Sequence, residues 1–167
     1  SVSTDCNDAS SSTYPGASEI CDSIDNDCDG TVDDNPTNGI TWYLDSDTDG
    51  YGHASLSTVS CDQPLGYVNN NNDCNDGDSQ ISPAALEICD SIDNNCDGSI
   101  DESSAIDASN WYLDSDTDGY GDPAILQVSC TAPAGYVSDS SDCDDSNGTI
   151  NPGANEYCNG LDDDCSG

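Results

Sequence analysis

The sequence contains no lysine, no arginine, no phenylalanine and no methionine. Its 167 residues carry 35 acidic side chains and a formal net charge of −35. Nucleic acid, polyanionic sugars and anionic membrane surfaces all need Lys or Arg to neutralise them, so none of these is a partner. A phosphate clamp needs the same residues, which disfavours phosphoryl-handling enzymes. Hydrophobic residues make up 33% of the chain, which is thin for one core of this size. Such a composition by itself points to disorder, because little apolar burial is available to offset chain entropy. No hydrophobic run approaches the length of a membrane span, so membrane insertion is not expected. No signal peptide is visible and the first residue is Ser1 rather than Met. The chain reads as a segment of a longer one.

Eleven cysteines argue against disorder. They suggest an oxidising extracellular or cell-surface location and a stapled fold. A repeat organises them. Asp5-Cys6-Asn7-Asp8 recurs as Asp73-Cys74-Asn75-Asp76 and as Asp142-Cys143-Asp144-Asp145, at offsets of 68 and 69 residues. Glu19-Ile20-Cys21 returns as Glu87-Ile88-Cys89 and Glu156-Tyr157-Cys158. The stretch from Trp42 to Gly52 is repeated unchanged from Trp111 to Gly121. The repeats are framed as 1–72, 73–141 and a third that starts at 142 and runs to 167. The expected fold is a set of small, mostly irregular repeats with short β-strands, stapled by disulfides and calcium and arranged as an elongated array. A repeat of this size lies near the lower limit for independent folding and needs such staples.

Sequence proximity pairs Cys21 with Cys28, Cys61 with Cys74, Cys89 with Cys96, Cys130 with Cys143 and Cys158 with Cys165. Cys6 is then left for a preceding repeat or another subunit. Spacing does not determine connectivity, and a Cys21–Cys61 link would overturn this scheme. The competing use of the cysteines as zinc thiolates is poorly supported by close pairs and a single His.

Three kinds of acidic loop recur. The first is Asp45-Ser46-Asp47-Thr48-Asp49-Gly50-Tyr51, copied as Asp114, Asp116, Asp118 and Tyr120. This D-x-D-x-D-G spacing matches the first half of an EF-hand calcium loop. Alternating carboxylates on a tight turn converge on one hard cation, Gly takes the strained position, and the following Tyr offers its carbonyl. Position nine is Asp122 in the second copy but His53 in the first, and position twelve is Leu56 or Ile125, so this is not a complete EF-hand. The second kind spans a Cys pair, with Asp25, Asp27, Asp29, Thr31 and Asp33, then Asp93, Asn95, Asp97, Ser99 and Asp101, and finally Asp162 and Asp164. The third kind joins Asp5, Asn7 and Glu19, with copies Asp73, Asn75, Glu87 and Asp142, Asp144, Glu156. Its Asp-to-Glu spacing is 14 in every copy, which predicts one site closed by Glu. A merely solvated acidic surface would scatter its Asp without keeping Gly at the sixth position. About three calcium ions per repeat would cancel roughly half of its charge.

Short strands are expected over 40–44 and 111–113, with return strands over 56–61 and 124–130. Residues 84–89 read as one or two helical turns led by Pro83. The Trp-Tyr pairs read as a small core.

The combined phrase, from Asp-Cys-Asn-Asp through Pro-Gly-Ala-Ser-Glu-Ile-Cys-Asp-Ser-Ile-Asp-Asn-Asp-Cys-Asp-Gly to Trp-Tyr-Leu-Asp-Ser-Asp-Thr-Asp-Gly-Tyr-Gly, resembles the MopE-type metal-binding repeat of bacterial surface and secreted proteins. The acidic loops also resemble, more loosely, those of thrombospondin type 3 repeats. The family resemblance implies extracellular tandem arrays that bind divalent metal, one namesake being associated with copper. Copper carries over poorly, since its softer ligands are His, Met and free Cys. This chain has one His, no Met, and cysteines expected to be oxidised.

Catalysis finds little support. A Ser nucleophile needs a base, and His53 has no counterpart in the second repeat. Among so many acids, a close carboxylate pair carries no information about glycoside hydrolysis. The expectation is a non-enzymatic calcium-binding structural protein, a stalk or a filament of copies joined end to end. The alternative is calcium-dependent adhesion to glycan or protein. Asn147-Gly148-Thr149 is the one standard glycosylation sequon.

Overall fold

Trp42 lies in the middle of a five-residue strand, and its indole N–H donates to the carbonyl of Ser60 at 3.2 Å. That bond satisfies the polar end of the ring while the rest is buried. The computed structural model describes residues 6, 7 and 9–167. Six short strands occur, and no helix is found among the described residues. The chain divides into two compact units, Ser1–Ala85 and Leu86–Gly167. A cyclic repeat can be cut at any point, and the units cut it after residue 85 rather than at the Asp-Cys motif.

In the first unit β1 (Ile40–Leu44) is central, flanked by β2 (Ser57–Ser60) and β3 (Tyr67–Val68), all antiparallel. Ile40 faces Ser60, and Tyr43 is matched to both Ser57 and Val68. The second unit repeats this with β4 (Ser109–Leu113) between β5 (Leu126–Ser129) and β6 (Tyr136–Val137). There Trp111 donates to the Ser129 carbonyl at 3.0 Å. The four long strands fall where the sequence predicts them, within one or two residues. The two-residue strands at Tyr67 and Tyr136 were not foreseen.

Residues 84–89 form a turn and an extended run instead of helical turns. A helix would send the amides of Ile88 and Cys89 to carbonyls four residues back. They donate instead to Asn94 Oδ1 at 3.1 Å and to Asp107 Oδ1 at 2.8 Å. The Glu87 carbonyl accepts from Ile106 N.

Little of the interior is apolar. Trp42, Ile81, Ala105 and Ile150 are the buried hydrophobic residues, whereas Glu19, Asn26, Asp73, Glu87, Asn94, Asp142 and Asp163 are among the buried polar ones. Asn26, the most deeply buried large side chain, accepts from Ile20 N at 3.0 Å and donates to Asp22. Asn94 does the same with Ile88 and Asp90.

Disulfides supply what the core lacks, in a pattern different from the one expected. Cys6 joins Cys28, Cys21 joins Cys61, Cys89 joins Cys130 and Cys143 joins Cys165. Cys74 and Cys96 are also disulfide-bonded. The pairings Cys21–Cys28, Cys61–Cys74, Cys89–Cys96, Cys130–Cys143 and Cys158–Cys165 are therefore corrected. The sheet explains the change. Cys21 N donates to Asn38 Oδ1 at 2.7 Å, and the β1–β2 register brings Cys61 beside the start of β1. Cys28 takes a left-handed backbone (φ 61°) and turns toward Cys6, whose amide lies 3.2 Å from the Cys28 sulfur. Cys6 is thus paired within its own unit and not with a neighbour. Cys158 is an exposed free thiol. It stands in frame with Cys21 and Cys89, whose partners lie 40 and 41 residues further on.

Candidate metal centres

The D-x-D-x-D-G loop leaves β1 at Leu44 and closes on its own first carboxylate. Asp45 Oδ1 accepts from Thr48 N at 2.7 Å and Oδ2 from Gly50 N at 3.2 Å. Asp49 Oδ1 accepts from Tyr51 N at 2.8 Å. Gly50 has φ 97° and Gly119 φ 96°, the left-handed conformation that glycine adopts without steric cost. Thr48 and Thr117 (both φ 69°) hold it as well, a strained state for a β-branched residue. The second copy reproduces these bonds through Asp114, Thr117, Gly119, Asp118 and Tyr120.

Two acids from the Asp-Cys-Asn-Asp turn complete this loop. The backbone returns from β3 so that Asp73 N donates to the Gly52 carbonyl, with a parallel bridge to His53. Asp73 is then packed against the loop at 7% exposure, and Asp142, beside Gly121, at 4%. Asp76 accepts from Ser46 N at 2.8 Å and Ser46 Oγ at 2.6 Å, and Asp145 does the same with Ser115. Two carboxylate groups result, Asp47 with Asp49 and Asp73, and Asp45 with Asp47 and Asp76. Within each group the ligand oxygens lie within 4.8 Å of one another. The Oδ2 atoms of Asp47, Asp49, Asp73, Asp116 and Asp142 are buried and accept no hydrogen bond. Asp118 Oδ2 differs, accepting from Asn151 Nδ2 at 2.8 Å.

This crowding is visible in proton affinity. Asp73 is held above the usual carboxylate range, chiefly by burial, with repulsion from Asp49, Asp47 and Asp76 adding to it and the Asn75 amide opposing it. Asp47, Asp116 and Asp142 are raised for the same leading reason.

The Cys-pair loop is built alike. Asp25 accepts from Asp29 N and Gly30 N, Asp27 from Asp29 N, and Asp29 from Thr31 N. Asp93, Asn95 and Asp97 repeat this toward Gly98 and Ser99. In the third copy Asp162 accepts from Ser166 N and Gly167 N, and Asp164 from Ser166 N. Asp33 does not close the loop as the sequence predicts. Its carboxylate turns to the amides of Asp22 and Ser23, and Asp101 turns to Ser91 N. The next residue replaces it. Asp34 groups with Asp27 and Asp29, and Asp34 Oδ1 and both oxygens of Glu102 are buried without a donor.

The third predicted site is divided. Asp5 lies outside the described residues. Asp73 and Asp142 join the first loop as above. Glu19 spans the second loop, accepting from Asp27 N at 2.8 Å and Asp33 N at 3.0 Å, and it groups with Asp25 and Asp27. Glu87 accepts from Asn94 N and Asp101 N, and Glu156 from Asp163 N. Asp73 and Asp142 thus lie with the acids of a first-type loop, and Glu19, Glu87 and Glu156 accept from amides of a second-type loop. Asn7 Oδ1 caps the turn at Ala9 N, while the amides of Asn75 and Asp144 donate to Asp73 and Asp142.

Sequence reasoning missed Asp34, Glu102, Asp76 and Asp145. Their signal was the acidic character kept at equivalent frame positions. His53 Nδ1 accepts from Ser55 N, and Asp122 Oδ1 from Ala124 N, so the two caps are interchangeable. Asp122 also lines a surface depression with Asp116, Asp142, Asp144 and Asp145. Asn147 is exposed, its Oδ1 accepting from both N and Oγ1 of Thr149.

The donor set fits a hard divalent cation: convergent carboxylates, buried free lone pairs, and no Lys or Arg anywhere to neutralise them. Fold and site together define a disulfide-stapled, acidic metal-binding repeat. Residues 5–34, 73–102 and 142–167, about half of the chain, match the MopE-type family described as "Putative metal-binding motif". The chain belongs to that family. Its label mentions copper. Searches of curated proteins and of solved structures return no match.

Proposed function

We propose that this chain is an extracellular, calcium-binding structural repeat, and that arrays of it form a stiff stalk or filament of like subunits. The observation that carries the reading is the set of buried carboxylate oxygens without donors in a chain that has no cationic side chain except His53. Buried charge without a partner is costly, and a bound cation removes that cost. Oxygen donors alone favour calcium over copper, and calcium tolerates irregular coordination better than magnesium. The disulfides support an oxidising, extracellular setting. Tandem repetition supports a mechanical role, and the reading assigns the chain no catalysis.

Thermal unfolding with disulfides intact tests the metal. Calcium at a hundredfold excess over its dissociation constant adds about 2.7 kcal/mol per site. The melting temperature should rise with calcium, fall in chelator and respond weakly to copper. An unchanged melt in chelator defeats the reading. Negative-stain microscopy in calcium tests the array, with rods or fibres expected. Compact particles together with binding on a glycan array would move the function to adhesion.

A further inference from the structure

The family motif covers the Asp-Cys turn and the Cys-pair loop but leaves out 45–52 and 114–121. We propose that each of these D-x-D-x-D-G loops holds a pair of calcium-class cations, completed by acids from the following Asp-Cys turn. One cation lies among Asp47, Asp49 and Asp73, the other among Asp45, Asp47 and Asp76, with Asp47 shared.

An acidic cluster alone would not support this. Asp73 supplies the independent observation. It is more than nine-tenths buried, its Oδ1 accepts from Asn75 N, and its Oδ2 has no donor while lying in the group with Asp47 and Asp49. Asp142 repeats that state in the second unit, with Oδ2 buried and undonated and Oδ1 on Asp144 N. No packing requirement explains a buried carboxylate placed against two others. A cation among them does, because the Oδ2 atoms of Asp47, Asp49 and Asp73 are buried and accept no hydrogen bond.

The charge requires the second ion. Five carboxylates meet here, and one divalent cation leaves a net charge of about −3 in a partly buried space. Two cations leave about −1. The two groups share Asp47, and a carboxylate with two oxygens can bridge two hard cations. Asp76 is fixed in the second group by Ser46 N and Oγ. Binding therefore links β1 to the segment after β3.

The proposal rests on the calcium reading above, and native mass spectrometry of the full chain separates the two. The parent chain, titrated with calcium at intact disulfides, should bind two ions at each such loop. D73N should lose one ion or weaken one about tenfold, and D47N should lose two. D142N should reproduce the D73N effect in the other unit. D78N, an exposed carboxylate that caps Gln80 N, should lose none. Near-UV dichroism of the Trp residues reports whether each variant keeps its fold. A parent that binds calcium while a folded D73N and D142N keep its full count and affinity overturns the paired centre and leaves the calcium reading standing. A folded D47N that loses a single ion overturns the sharing of Asp47. A parent that binds no calcium overturns both.

Discussion

Asn159 donates to both carboxylate oxygens of Asp163, at 3.1 and 2.9 Å, reversing the polarity of its counterparts, where Asn26 donates to Asp22 and Asn94 to Asp90. The amide and the acid have exchanged positions, and one acid and one amide are kept in each copy. N26D alone would set a second carboxylate against Asp22 and remove the amide donor. The expected cost is about 1–3 kcal/mol in thermal melting. D22N/N26D should recover most of it, with a coupling of about 1 kcal/mol or more. Additive single effects would show that the pair is not an energetic unit.

The first-type loops should differ in calcium affinity. Asn151 Nδ2 occupies Asp118 Oδ2, whereas the equivalent Asp49 Oδ2 is undonated and Ser82 stands in the place of Asn151. A cation must displace that hydrogen bond, which is worth about 1.5–3 kcal/mol to a charged acceptor. N151S should tighten calcium at the second loop severalfold in isothermal titration. An unaltered affinity would show that the amide yields without cost.

Gly52 is closely enclosed by the neighbouring chain. A Cβ there would lie 2.7 Å from both the Asn70 carbonyl oxygen and the Tyr43 Cβ, and Gly121 is similarly enclosed by Tyr112 and Asp139. G52A should cost about 1–3 kcal/mol in a chemical melt, as overpacking does. It should also weaken calcium binding, because the Gly52 carbonyl anchors Asp73 N. G77A, which meets only Asn75 Oδ1 at 3.7 Å, serves as the tolerated control.

Without metal, acid should stabilise this protein. Asp47, Asp73, Asp116 and Asp142 sit above the ordinary value of 3.8, mainly through burial. A raised carboxylate takes up its proton more readily folded than unfolded. Its penalty is full above the raised folded value, shrinks as pH falls through that value, and is gone below the unfolded one. Asp97 and Asp164, held low by donors at Ser99 and Ser166, act in the opposite sense. Asp27 and Glu102 are raised as well, so raised groups outnumber lowered ones and the chelated protein should melt higher near pH 4 than at pH 7. In saturating calcium the order should reverse, since protons displace the metal. Melting curves that fall with acid in both conditions would contradict this account.

The repeat and the loop glycines were legible because each follows from local spacing, whereas the helical turns expected over 84–89 were not borne out. The strand at 40–44 was legible from its branched and aromatic run. The disulfides were not, because Cys21 meets Cys61 only once the β1–β2 register is set. Nor could spacing separate Asp33 from Asp34. Both are acidic, and the left-handed backbone at Asp33 (φ 57°) turns its carboxylate to the amides at 22 and 23. The fixed spacing singled out Glu19, but its reach across the second loop was not legible, because it depends on where that loop's amides point.

The interlocked bridges Cys6–Cys28 and Cys21–Cys61 decide how the first unit bears load. Pulled along the chain, it transmits force from Cys6 across to Cys28, backward to Cys21, and across again to Cys61. The β1–β2 hairpin hangs off this covalent shortcut and adds no slack. Beyond Cys61 the stretch 62–73 can pay out under tension, and its far end is Asp73. The acid cluster is thus a latch on that extensible stretch, which would make its extension, unlike its backbone strength, a function of the surrounding calcium.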